Sequence, residues 1–290
     1  MKNLIVLFSI LSIVSLGFSN RGMIPFNPDV KIFEPHQRAM IAWNGNEEIL
    51  LLSTDLSASD STQVLEVLPI ISEPEVKKGD LATFRKATDL INKKIHAPLK
   101  KGTRFDEGII PPSGEVTFHK KIGAHDISVT HLLDADDFID WVKDYLKSIG
   151  IEKDVISAQM RELIEEYIAD KFIWFVFDVV SLSEETVTNE PIQYRFKTKS
   201  LFYPLKITRT SEGNTSIELI ILTPRLLQRF PGLPLERINL EHEPITIYNE
   251  ELKTLDEDMY DLLSEYKEMK LRIWKIEGEL KAFNKDLIAK

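Results

Sequence analysis

The chain has 290 residues, 43% hydrophobic and 28% charged, a composition that excludes a disordered body. It contains no cysteine, which excludes a disulfide framework, a thiolate metal site, an iron–sulfur cluster and a cysteine nucleophile. Its 36 Lys+Arg stand against 46 Asp+Glu, and the basic residues fall in scattered pairs such as Lys93-Lys94 and Lys120-Lys121. No concentrated basic surface is legible, which argues against nucleic acid or an anionic membrane as a partner.

Residues 1–19 read as a signal peptide. Lys2 supplies one positive charge, and residues 4–18 are almost entirely apolar. That run is shorter than the roughly 20 residues a bilayer span needs, and it has the layout of a secretory leader. Gly17 and Ser19 are small residues at −3 and −1, so cleavage is expected after Ser19. The alternative is a retained N-terminal anchor, and membrane attachment is expected only in that case. Cleavage would remove one lysine, leaving 35 basic against 46 acidic side chains, a net charge of −11. An exported chain without disulfides must rely on core packing.

Residues 38–43 and 46–53 read as strands around Asn44-Gly45, a dipeptide that tolerates positive φ in a hairpin. Residues 63–68 alternate as a strand that stops at Pro69. Asp80 is placed to cap a helix to about residue 95, with Leu81, Phe84, Leu90 and Ile91 on one face. Residues 96–112 read as loop; if the domain divides, the boundary falls near 97–113. Strands over 115–121 and 126–133 join around Gly123. Asp134 then caps a helix with Asp136 and Asp137 in its first turn, and Gly150 ends it. A further helix runs from about 154 to 170, followed by strands over 172–182, 192–197, 201–210 and 216–222. The order predicts an α+β fold over 20–248, mostly antiparallel sheets packed against two or three helices.

Residues 249–290 carry the cleanest periodicity. Leu252, Leu255, Met259, Leu262, Tyr266, Met269, Ile273, Ile276, Leu280, Phe283 and Leu287 are spaced 3,4,3,4 without a break. That predicts one long C-terminal helix with a coiled-coil seam, used either for homo-oligomerisation or for packing along its own domain. Tyr260, Leu263, Leu271 and Trp274 lie outside the seam, and Leu271 sits at an f position that a simple dimer exposes.

Three of the six histidines, His119, His125 and His131, fall six residues apart. On one continuous strand they would stand about 20 Å from neighbour to neighbour, too far for a shared metal. Around a hairpin the loop length decides. A two-residue loop pairs His119 with Ser128 and puts it on the face opposite His125, whereas a three-residue loop brings both onto one face. Three-histidine coordination fails in either register, so no metal or other cofactor is expected, and His119 and His125 remain weak candidates.

No GxSxG, Walker or GxGxxG element is present. The cluster Asp134-Ala-Asp-Asp137 lacks the glycine and distal glutamate of a calcium loop and is better read as a helix cap. Asn214-Thr-Ser216 fits the N-glycosylation acceptor pattern.

The order of segments carries a resemblance. Gln37-Arg-Ala-Met-Ile-Ala-Trp-Asn-Gly45 is followed by a strand ending Leu-Glu-Val-Leu-Pro-Ile-Ile-Ser-Glu-Pro74. Ile122-Gly-Ala-His-Asp-Ile-Ser-Val129, Tyr167-Ile-Ala-Asp-Lys-Phe172 and Leu201-Phe-Tyr-Pro-Leu-Lys-Ile207 come after it. In that order the segments resemble the uncharacterised exported prokaryotic family known as domain of unknown function 2330, over about residues 37–222. The resemblance implies export and a shared domain, with no activity or catalytic residues. The chain departs from many of that family in lacking cysteines near the mature N-terminus.

These readings point to an exported, non-enzymatic module of the cell envelope that binds an unknown protein or envelope ligand. The alternative is an extracytoplasmic hydrolase or metal-dependent enzyme whose site is assembled from distant segments.

Overall fold

The computed structural model describes residues 22–27, 29–33, 37–95, 119–122, 125–151, 155–211, 213–227, 230 and 233–290. The expected leader and cleavage point, the expected 97–113 boundary and the turn at Gly123 lie outside them. The first half supplies β1 (Gly22–Pro25), β2 (Ile32–Phe33), β3 (Gln37–Trp43), β4 (Glu47–Ala58), β5 (Thr62–Ile70), β6 (Glu75–Lys78) and α1 (Leu81–Ile95). Next come β7 (His119–Ile122), β8 (His125–His131), α2 (Ala135–Ser148), α3 (Ala158–Ala169) and β9 (Trp174–Leu182). Then follow β10 (Val187–Thr188), β11 (Ile192–Lys197), β12 (Leu201–Tyr203), β13 (Asn214–Thr223), β14 (Ile238–Leu240) and β15 (Ile245–Tyr248). The C-terminal part is α4 (Asn249–Leu255), α5 (Glu257–Leu263), β16 (Glu268–Glu279) and β17 (Leu287–Ala289).

Strand outweighs helix, 43% to 29%, so the class is mostly β and the α+β expectation is corrected. One sheet has five antiparallel strands in the order β1-β5-β9-β8-β7. A second sheet has ten strands, seven along the path β14-β16-β13-β3-β4-β11-β6, with β2 and β10 paired to β4 and β15 to β16, and it is mixed because β13 runs parallel to β3. Period-2 alternation assigns each face. Met40, Leu51, Ile220, Ile247 and Leu271 line the face under α1, α4 and α5. Ile41, Leu50, Tyr194, Leu219 and Ile276 line the opposite face, which belongs to a second core shared with the five-stranded sheet. Phe175 and Phe177, on the outer face of β9, belong with Phe138 and Trp141 of α2, and Trp141 stacks on Phe177 at 4.1 Å. The resulting layers are helices, sheet, sheet, helices.

Several local expectations hold. Asn44 and Gly45 turn β3 into β4, with Gly45 at φ 98°. Asp134 caps α2 by accepting from the Asp137 N–H at 2.9 Å. Two boundaries differ for reasons of proline chemistry. β5 continues through Pro69 to Ile70, because β1 pairs only with Val64, Leu65, Glu66 and Val67. Beyond Val67 its open side needs no N–H. The strand expected over 201–210 ends at Tyr203, because Pro204 has no N–H to pair and a 3₁₀ turn follows.

The long C-terminal helix is absent. Asp256, at φ −161°, ends α4 and caps α5 by accepting from Met259 N–H at 3.1 Å. Beyond Leu263 the chain turns and enters β16, the central neighbour of β13, β14 and β15. The same residues satisfy a second period. Met269, Leu271 and Ile273 alternate onto the face under the helices, whereas Trp274 and Ile276 belong to the core on the other side. Leu271, which a coiled coil would expose, is fully buried. Replacing Leu271 by alanine is expected to cost about 2–5 kcal/mol in urea unfolding. A helical f position would register almost no change.

Candidate functional site: a groove beside the C-terminal strand

A cavity lies where the two sheets meet the β12–β17 ribbon. It is an open groove of about 790 Å³. The β3–β4 turn contributes Asn44, Asn46 and Glu47, and the end of β5 contributes Ile71. Asp170, Lys171 and Phe172 follow α3, Lys197, Thr198, Lys199 and Ser200 close β11, and Ile288 stands on β17.

Local chemistry builds each wall. The Asn44 side-chain oxygen accepts from Asn46 N–H and Glu47 N–H, both at 2.9 Å, which fixes the turn. Thr198 N–H donates to Asn46 O at 2.9 Å, Trp43 Nε1 donates to Thr198 O at 3.3 Å, and Ser72 Oγ donates to Lys197 O at 2.8 Å. The end of β11 is thereby tied to the turn and to β5. On the other side, α3 ends in a left-handed cap. Lys171 N–H donates to Ile168 O, Phe172 N–H donates to Tyr167 O, and Lys171 sits at φ 72°. Glycine is the usual occupant of that position. A lysine there costs about 1 kcal/mol of backbone strain. Phe172 packs edge-on against Tyr167 at 5.3 Å and tilted against Phe202 at 5.3 Å, closing the floor.

Two buried carboxyls anchor the ribbon behind this floor. Glu48 Oε2 accepts from Phe202 N–H at 2.8 Å, and its other oxygen has no hydrogen-bond partner among the described residues. Complete burial holds the Glu48 carboxyl well above the usual range, partly offset by that N–H, and so favours its protonated form. Asp286 accepts from Tyr167 Oη at 2.9 Å and from Lys206 N–H at 2.7 Å. For Glu48 the sign of the pH effect follows directly. The unfolded chain ionises near 4.5 while the folded chain keeps its proton, so stability from this group falls as pH rises above that value. Glu48→Gln keeps an acceptor for Phe202 and has no proton to lose. It is expected to melt higher than the parent at pH 8, with the gain vanishing near pH 4.

The histidines are elsewhere. β7 pairs His119 with Ser128 and Ile122 with His125, the register of a two-residue turn, so the His119 position is out of phase with His125. His125 is 1% exposed, in the core between the sheets. Its Nδ1 lies 2.5 Å from Asp178 Oδ2 and its Nε2 3.0 Å from Glu190 O. A carbonyl only accepts, so Nε2 carries hydrogen, and one more proton lies between Nδ1 and Asp178. Neither nitrogen has a lone pair free for a metal. His131 is exposed and lies 5.0 Å from the Trp174 ring. Among the described residues no three His, Cys, Asp or Glu side chains converge on one point.

The residues that matter here were visible only as anomalies. Glu48, Asp178 and Arg272 are charged residues inside apolar strand runs, and all three are buried. Arg272 donates to Thr223 Oγ1 and Lys270 O, and burial lowers its guanidinium to about 10.

No protein-family model matches the chain. No curated protein matches it either. Among solved structures the likeness is distant. The crystal structure of baculovirus P35 aligns over 92% of this chain and 99% of its own, at 10% identity and a TM-score of 0.44. A mutated baculovirus P35 after caspase cleavage aligns over 88% of this chain and 99% of its own, at 10% identity and a TM-score of 0.40. A likeness of that degree assigns no function to this chain.

Proposed function

We propose that the chain is an exported, non-enzymatic binding module that receives its partner in the groove between the β3–β4 turn, the α3 cap and β17. The observation that carries this reading is the groove itself. Its volume of about 790 Å³ falls within the range of ligand sites, and its apolar floor lies under a polar rim. Each wall is held by hydrogen bonds within the chain, so the groove is formed before anything enters it. The buried His125–Asp178 pair is enclosed and bonded at both ring nitrogens, which suits a structural bridge better than an acid–base catalyst. Export rests on the apolar N-terminal run and is a separate part of the proposal.

Isoleucine methyl spectra test the groove. Titrating the concentrated extracellular fraction of the source culture is expected to shift Ile71 and Ile288 together. Shifts confined to methyls remote from these two would remove the groove as the site. Export is checked by N-terminal sequencing of protein recovered outside the cell. Asn20 as the first residue is the expected result, and Met1 would contradict cleavage.

A further inference from the structure

The groove's electrostatics run against those of the whole chain. The protein carries a formal net charge of −10, yet three lysines, Lys171, Lys197 and Lys199, stand exposed around this one opening. The two acids in the lining are already engaged by cations. Glu47 accepts from Arg195 at 3.0 Å, and Asp170 pairs with Lys206 at 2.8 Å. Lys199 Nζ donates to the neutral amide oxygen of Asn46, and Lys197 stands directly opposite Glu47 on β4, whose carboxylate is shared with Arg195. With Glu47 and Asp170 shared with Arg195 and Lys206, the rim presents an excess of positive charge. In physiological salt charges act over about 8 Å, so this local excess, and not the distant acidic surface, is what an entering group meets.

Lys171 adds an independent observation. Its φ of 72° is the left-handed conformation in which glycine is favoured, and it caps α3 there in glycine's usual place. A strained lysine at the mouth of a cavity points to a use for its side chain.

We infer that the occupant of the groove is an acidic, apolar segment of a partner protein. Its carboxylates lie against Lys171, Lys197 and Lys199, and its apolar side chains lie against Ile71, Phe172 and Ile288. This rests on the groove being the binding site, as proposed above. A carboxylate offers Lys199 an ion pair in place of its bond to the neutral Asn46 amide, adding the attraction of a second charge to a bond whose donor is already charged. A peptide suits the opening better than a fatty acid does. The groove is open to solvent, and Asn46 and Ser200 line it with side-chain groups able to pair with a backbone.

The test uses the full mature chain and a fluorescein-labelled Glu-Leu-Glu-Leu-Glu peptide, followed by fluorescence anisotropy. The acidic peptide is expected to bind, with Lys197→Gln and Lys199→Gln each weakening it by about three- to tenfold. Lys171→Gly separates binding from folding. It is expected to raise the melting temperature by about 2–4 °C while weakening the peptide by a similar three- to tenfold factor. A purely structural lysine would leave affinity unchanged. Equal binding of Gln-Leu-Gln-Leu-Gln would overturn the charge argument and leave the groove reading intact. Displacement of the peptide by micromolar dodecanoate, with tighter binding of the fatty acid, would overturn the peptide in favour of an amphiphile. Absence of binding by either peptide at millimolar concentration would overturn the inference, and the isoleucine spectra would then judge the groove on their own.

Discussion

Replacing His125 by alanine is expected to cost about 3–5 kcal/mol of unfolding free energy, among the largest effects of any single substitution in the chain. The reason is position. His125 is on β8 of the five-stranded sheet, and its Nε2–H reaches Glu190 O, on the segment joining β10 to β11 of the ten-stranded sheet. Its Nδ1 meets Asp178 on β9, which itself stands directly opposite Glu66 on β5. Cross-strand neighbours approach to about 5 Å, so losing the imidazole leaves two buried carboxyls side by side and one carbonyl without a donor. Asp178→Ala is expected to cost a similar amount. The double substitution should cost clearly less than the sum of the two, because the second change removes a group already stranded by the first. Urea unfolding of the four proteins measures this. A cost under about 1 kcal/mol for His125→Ala would show that the sheets hold together without the bridge.

Asp286→Asn is expected to stabilise the protein above pH 6 and to leave it unchanged near pH 4. Burial raises the Asp286 carboxyl from 3.8 to about 6, although Lys206 N–H, the Tyr167 hydroxyl and the Lys206 ammonium all pull the other way. An acid raised on folding holds its proton in the native state after the unfolded chain has lost it. Stability from this group is therefore whole below 3.8, falls as pH rises to about 6, and stays low beyond. A shift of that size corresponds to about 3 kcal/mol. Asparagine keeps an oxygen for the Lys206 N–H and the Tyr167 hydroxyl and has no charge to bury. Thermal unfolding at pH 4 and pH 7.5 separates the variant from the parent only at the higher value. A uniform gain at both would locate the effect in packing instead. The ribbon that Asp286 anchors forms one groove wall, so the same experiment reports how firmly that wall is held.

Much of the local structure could be read from residues alone, because its signals are local. Asn44-Gly45 turns a hairpin whatever surrounds it, and Asp134 caps a helix through its own main-chain neighbours. His125 alternates with Ile127 and Val129, but its partner Asp178 is 53 positions away, beyond the reach of a local pattern. The groove was not legible. Its lining comes from five separate segments between Asn44 and Ile288, and none of them carries a motif. Its three lysines looked like part of a scattered basic complement until folding gathered them.

The C-terminal region shows most clearly where sequence stops deciding. Its apolar residues fit a 3,4 spacing over five heptads, and over residues 269–273 they also fit strict alternation. A periodic pattern specifies which residues seek burial, not which partner provides it. β13 leaves its edge open for an antiparallel neighbour, and β16 takes that edge over ten paired residues. That ladder satisfies the backbone of both strands and buries Leu271, which a helical seam would have left in water. The sequence by itself determined the composition of the core, the hairpin, the helix caps and the expectation of export. Tertiary structure alone decided the C-terminal strand, the bridging role of His125 and the positive groove, because each depends on surfaces that distant segments offer one another.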